Sequence, residues 1–276
     1  MMALRFSLFL FIFALYFICD FPLIYGQRTD EDITVKTMEE FSGYPIHEPN
    51  YLNSLSVNSD TLQKQIDELA TFSDSPAPSV TRILFTEKDV LARRYIKDLM
   101  DLSGLSVRED AVGNIFGRWK GSEPELAPVL TGSHTDAIPY SGKYDGVVGV
   151  LGAIEAINVL MRSGFKPKRS LEVIMFTSEE PTRFGISCLG SRLLAGSVQL
   201  SNLPENVDSH NVSFSDAAKS AGYANAKGDF SEVFLKKGSY SAFVELHIEQ
   251  GPILEKEGRL LLNGYPILDD PKQGPV

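Results

Sequence analysis

Val129-Leu130-Thr131-Gly132-Ser133-His134-Thr135-Asp136 opens the stretch that decides the fold. A loop containing Gly and Pro then leads to Lys143-Tyr144-Asp145-Gly146, after which Val147, Val150, Leu151, Ile154, Ile157 and Leu160 recur at helical spacing. Val129-Leu130-Thr131 is short, apolar and β-leaning, which predicts a buried strand whose carboxyl end delivers His134. Leu171 to Thr177 predicts a second buried strand, delivering Glu179 and Glu180. Ser241 to Leu246 predicts a third, delivering His247. Strands alternating with helices indicate a layered α/β domain, and sites in open α/β sheets lie beyond the carboxyl ends of the strands.

Working outward, Leu62, Ile66, Leu69 and Ala70 predict a helix beginning near Asp60. A second helix is expected from Glu87 to Leu102, started by Thr86 with Asp89 three residues on and ended by Gly104. Two β-leaning runs between Leu105 and Trp119 flank Asp110 to Asn114 and suggest a hairpin. Residues 27–58 show no sustained period and read as a mobile lead-in to a catalytic domain at 59–258. Residues 197–238 read as a surface excursion with one helix at Ser215 to Ala221.

Arg5 is followed by an apolar run from Phe6 to Cys19 and then by Gly26, the pattern of a secretory signal over residues 1–26. The run is shorter than the roughly 20 residues that span a bilayer. The expectation is therefore a soluble protein in the lumen of the secretory pathway, such as the endoplasmic reticulum, or secreted from it, with an uncleaved signal anchor as the alternative. Cys188 would then be the one remaining cysteine, unable to form an intrachain disulfide. A formal net charge of −10 argues against a nucleic-acid partner, because phosphate binding relies on clustered Lys and Arg. Asn211-Val212-Ser213 is an acceptor sequon, either a glycan site in a lumenal protein or an ordinary loop.

Metal-assisted hydrolysis needs imidazole and carboxylate ligands and a base for the attacking water. His134 supplies a ring nitrogen, and Asp136 is placed to accept the other ring N–H and fix the tautomer. Asp145 has two oxygens to share between two cations. Glu179 and Glu180, expected to point in opposite directions at a strand end, read as base and ligand respectively. His247 completes the first cation's ligands. Gln250 either closes a turn or contacts a ureido or carboxylate group. His47 and His210 fall in loops and are not taken as ligands.

Gly-Ser-His-Thr-Asp at 132–136, Tyr-Asp-Gly at 144–146, Thr-Ser-Glu-Glu-Pro-Thr-Arg-Phe at 177–184 and Glu-Leu-His-Ile-Glu-Gln-Gly-Pro at 245–252 resemble the dinuclear metal-dependent amidohydrolase and peptidase family that includes aminoacylase, allantoate amidohydrolase and N-carbamoyl-amino-acid amidohydrolases. The stretch from Gly132 to Arg192 is most similar to its ureidoglycolate-hydrolysing branch. The resemblance implies an aminoacylase-like α/β catalytic domain with a mixed sheet and helices on both faces. It implies two divalent cations, manganese first and zinc second: His134, Asp145 and His247 on one, Asp145 and Glu180 on the other, with Glu179 activating water. The substrate would be a small ureide, and the products of ureidoglycolate would be glyoxylate, ammonia and carbon dioxide.

After Gly258 the pattern departs from the family, and residues 259–276 read as a divergent tail. The family's lid and dimerisation domain and a further histidine ligand to the second cation are not recognisable. The expectation is a truncated catalytic domain of low or no activity. The alternatives are an allantoate or N-carbamoyl-amino-acid amidohydrolase, or a non-catalytic isoform that binds full-length subunits.

Overall fold

Alternation along one strand explains the layering of this computed structural model. In Leu171–Phe176, Leu171, Val173 and Met175 enter one apolar cluster while Ile174 and Phe176 enter another, because successive strand side chains point to opposite faces. The strand is buried on both sides and must be covered twice. The structure describes residues 55–197, 206–223, 233–253 and Lys256. The expected signal at 1–26, most of the lead-in and the tail at 259–276 lie outside the described residues.

The elements run α1 (Ser59–Ala70), β1 (Val80–Arg82), α2 (Glu87–Leu102), β2 (Ser106–Glu109), β3 (Ile115–Trp119), β4 (Val129–His134), β5 (Ala137–Ser141), α3 (Val147–Arg162), β6 (Leu171–Phe176), α4 (Leu189–Leu194), α5 (Phe214–Ser220) and β7 (Ala242–Val244). Five strands form a mixed sheet in the order β2-β3-β6-β4-β7, antiparallel as far as β6 and parallel from there to β7. Helices α1, α2 and α3 cover one face; α4 and α5, with Phe85, Phe184 and Tyr223, cover the other. The expected α/β class, mixed sheet and two-sided helical cover are all present. Among the described residues no helix is long and apolar enough to cross a membrane.

Helix α3 is buried along nearly its whole length, lying against β4 and β6 beneath α1. Its buried Glu155 accepts hydrogen bonds from the Asn58 amide at 2.9 Å and from Arg162 at 2.8 Å. Asn58 in turn caps α1, accepting from the Thr61 amide at 3.0 Å. Residues 55–58, expected in the lead-in, thus belong to the domain, with Leu55 and Val57 packed against the core.

The structure corrects several boundaries. Strand β4 extends through His134, so the histidine ends the strand instead of following it. The loop expected after it contains β5, which pairs with β1 in a separate two-stranded ribbon. Pro139 hides that strand in the sequence, yet a two-stranded edge tolerates proline because half its amides have no ladder partner. Strand β7 stops at Val244, so Glu245 and Leu246 lie beyond the ladder.

Two arginines, Arg82 and Arg93, are fully buried. Arg93 Nε donates to Asp89 at 2.7 Å, and its Nη1 donates to the Gly113 carbonyl at 2.7 Å and to Thr177 Oγ1 at 3.3 Å. This ties α2 to the end of β6. Removing one partner of a buried ion pair leaves an uncompensated charge, at a cost of about 3–5 kcal/mol. Asp89→Ala is therefore expected to lower stability by about that amount in urea unfolding, and a loss within about 1 kcal/mol, the range of an exposed pair, would show that Arg93 is stabilised elsewhere.

Candidate metal centre

Three strand ends and one helix start converge at the carboxyl edge of the sheet. His134 is the last residue of β4, and β6 leads into Glu179 and Glu180. Segment 245–250 follows β7, and Asp145 precedes α3. Gly146, the residue before α3, has φ +63°, and a Cβ there would sit 2.4 Å from the His134 ring. Only glycine lets the start of the helix approach the imidazole so closely.

The two histidines present matching faces. His134 Nδ1 donates to the Asp136 carbonyl at 3.0 Å, and His247 Nδ1 donates to the Ile248 carbonyl at 2.8 Å. A carbonyl can only accept, so in each neutral ring the lone pair is left on Nε2, the tautomer a metal ligand requires. The rings stack with centroids 5.8 Å apart and an interplanar angle of 26°. Asp145 Oδ1 lies 3.3 Å from His247 Nε2 and 3.9 Å from His134 Nε2.

His134 Nε2 and Asp145 Oδ1 are both buried without a hydrogen-bond partner. Two buried lone-pair atoms facing each other require a proton or a cation between them. One ligand atom from each of His134, Asp145 and His247 lies within 4.8 Å of the others, and the same holds for His134, Glu179 and Glu180. Two imidazoles with carboxylates around one point fit a divalent cation such as zinc or manganese.

Glu179 and Glu180 do not point apart. They sit past the end of β6, after Ser178 at φ +55°, in a turn that aims both carboxylates at His134. Glu179 Oε2 is 3.4 Å from His134 Nε2. The turn is fastened by hydrogen bonds from the Cys188 amide to the Glu179 carbonyl, at 2.7 Å, and from the Thr177 amide to Asn114 Oδ1, at 2.8 Å.

Asp136 accepts the ring N–H of His134, as expected, but through its backbone. Its carbonyl, not its carboxylate, accepts the His134 ring proton, since Oδ1 is 3.5 Å from Nδ1. The carboxylate instead accepts the amides of Glu179 at 3.3 Å and Glu180 at 3.0 Å. Gln250 also has an unexpected partner, its amide donating to Asp145 Oδ2 at 2.6 Å. Asn211 is exposed at φ +61°, and Ser213 of its sequon caps α5. His210 is exposed and belongs to neither ligand group.

Sequence reasoning missed Asn114 and Arg93, which hold the Thr177 end of the turn. It also missed Ser133, which donates to Glu245 Oε1 at 2.5 Å. Each has a partner 63 to 112 positions away that no local pattern marks, although Asn114 also bonds to Asp110, 4 positions away, and Arg93 to Asp89 and Gly113.

Residues 130–261 match the profile of peptidase family M20/M25/M40. The chain is 72% identical over 234 residues to a ureidoglycolate hydrolase of Arabidopsis thaliana, covering 82% of this chain and 49% of the relative. Residues 130–261 belong to the M20/M25/M40 peptidase family. The chain is also 40% identical over 198 residues to an N-carbamoyl-L-amino-acid amidohydrolase of Paenarthrobacter aurescens, across 72% of this chain and 47% of the relative. A crystal structure of AtUAH in complex with glyoxylate superposes with TM-score 0.73 at 74% identity, over 76% of this chain and 50% of that one. The chain spans about half the length of the curated relatives it matches.

The electrostatics of the cluster predict how a cation would bind. Burial tends to push the His134 pKa down, but the carboxylates of Asp136 and Glu179 outweigh it and lift it to about 9. Burial, reinforced by Glu179, lifts Glu180 to about 7. Both groups must lose a proton to become ligands, and both raised values keep protons on near neutral pH. Divalent cations therefore compete with protons. Manganese affinity is expected to rise from pH 6 to 9 with proton release, measured by calorimetry in buffers of different ionisation enthalpy; affinity flat across that window would exclude these groups as ligands.

Proposed function

We propose that this chain carries the metal-binding half of a ureidoglycolate-hydrolysing amidohydrolase. The observation that carries the reading is the buried, unpartnered pair His134 Nε2 and Asp145 Oδ1, with His247 Nε2 turned toward the same point. His134, Asp145 and His247 would hold one divalent cation, manganese in preference to zinc. Asp145 and Glu180 would supply the second position, where Glu180 stands grouped with His134 and Glu179. A cation so held supplies Lewis acidity, polarising the ureido carbonyl and acidifying water.

The chain's own residues do the rest. Glu179, on the same side of His134 and partly exposed, takes the proton from the attacking water and returns it to the departing nitrogen. Such a base contributes about 10²- to 10⁴-fold. Asp136 holds the two glutamate amides and so fixes where both carboxylates point.

Ureidoglycolate is preferred as substrate because the relative with the 72% match bears that activity in its name and because Thr177-Ser178-Glu179-Glu180-Pro181-Thr182 replaces the Glu-Glu-Gly version. The second reading, an N-carbamoyl-amino-acid amidohydrolase, draws on the relative at 40% identity. The test offers ureidoglycolate, allantoate and an N-carbamoyl-L-amino acid in parallel to the manganese-loaded chain and measures ammonia. Release from ureidoglycolate, at a low rate, is expected. Glu179→Gln should abolish it while leaving manganese affinity within about threefold, whereas His134→Ala should abolish both, since one variant removes the base and the other a ligand. Release chiefly from either competing substrate would move the assignment to it.

A further inference from the structure

The backbone alone does not place His247. The β4–β7 register ends at Thr131 opposite Val244, and His247 is three residues further on. Yet its Nε2 stands 3.3 Å from Asp145 Oδ1.

Two side-chain hydrogen bonds bracket the histidine. On one side Ser133 Oγ, buried and adjacent to His134 in β4, donates to Glu245 Oε1. On the other, Gln250 Nε2 donates to Asp145 Oδ2 at 2.6 Å, with Gln250 at φ +55°. A non-glycine residue in that region is strained and persists only when its surroundings hold it. Between the two bonds Leu246 packs against the core. Its carbonyl oxygen comes so close to α3 that a Cβ on Gly149 would lie 2.5 Å from it. Each fastening runs to an element that carries another cluster residue, β4 with His134 or Asp145 itself.

We propose that residues 245–250 form a strap, fastened by Ser133 to Glu245 and by Gln250 to Asp145, that sets His247 Nε2 against Asp145 for cation binding. Ser133, Glu245 and Gln250 are positioning residues, acting through His247 and Asp145. The Gln250 bond also orients Asp145, since it engages Oδ2 and leaves Oδ1 turned to the two histidines. The ladder cannot do this work, because extended pairing beyond Val244 would have to carry the segment along β4 instead of across to the start of α3. The inference rests on the proposed cation site.

The test is manganese binding to the full chain by calorimetry, with cobalt absorption as a second readout of ligand geometry. Ser133→Ala, Glu245→Ala and Gln250→Leu are each expected to weaken manganese about tenfold, the effect of losing a partner that orients a ligand, and to alter the visible cobalt bands. Glu245→Gln keeps an acceptor for Ser133 and should restore affinity to within about twofold of the unmodified chain, since the bond it preserves is the one at issue. Ser133→Ala with Glu245→Ala should be no worse than either alone, whereas Ser133→Ala with Gln250→Leu should multiply, as separate fastenings do.

Unchanged affinity and cobalt spectrum in the variants, with His134→Ala abolishing binding, would overturn the strap and leave the cation site standing. No manganese uptake by the unmodified chain would overturn both. Should Ser133→Ala fail to fold, Glu245→Ala and Gln250→Leu, both at exposed positions, decide the matter.

Discussion

Asp136 joins the two halves of the cluster. Its carbonyl takes the Nδ1 proton of His134, so the imidazole turns Nε2 inward, and its carboxylate takes the amides of Glu179 and Glu180. One residue thereby sets the tautomer at the end of β4 and the direction of two carboxylates after β6. Both arrangements depend on the parallel pairing of β4 with β6, which places His134 opposite Phe176. Shifting that register by one residue would turn every side chain to the other face and take His134 away from Glu179.

Buried charge supports the same edge from beneath. Arg82 donates to the Thr135 carbonyl at 2.6 Å, and Arg93 reaches Thr177 from α2. Both guanidiniums grip the chain within two residues of the cluster, and neither is exposed. Apolar packing positions the strands; these arginines and Asn114 hold the non-ladder backbone where the strands end. The arrangement is expensive to desolvate, and its return is a set of loops without a loop's freedom.

The elements most legible in the sequence were those with local periodicity. Helix α2 begins and ends where Thr86 and Leu102 predict, and β6 is an apolar run that stays apolar on both faces. Ribbon β1–β5 was illegible because its strands are short, far apart in sequence and interrupted by Pro139. In the cluster, residue types were readable: His134, Asp145, His247 and the two glutamates do converge. Their orientation was not. Strand alternation suggested that Glu179 and Glu180 diverge, but the strand ends at Phe176, and the left-handed Ser178 redirects the backbone that carries both glutamates. The side-chain bond of Asp136 was illegible for a related reason, since spacing says that a carboxylate is near but not which amides compete for it.

The converging groups conflict with stability until something resolves them. Asp145, Glu179 and Glu180 gather acceptors around His134, and the raised values of His134 and Glu180 reflect that conflict. In the metal-free chain, protons are the available remedy: one on His134 Nε2 would face Asp145 and Glu179, and one on Glu180 would remove a like charge beside Glu179. A divalent cation would meet the same need with two charges at one point, and would find it only in the folded arrangement, since folding brings the two ligand groups around His134 together. Its binding free energy would therefore be folding free energy for the strand ends. Local sequence rules fail where function sits: an unpaired lone pair on buried His134 and left-handed Ser178 and Gln250 are poor choices for a protein that only had to fold, and coherent ones for the cation site proposed above.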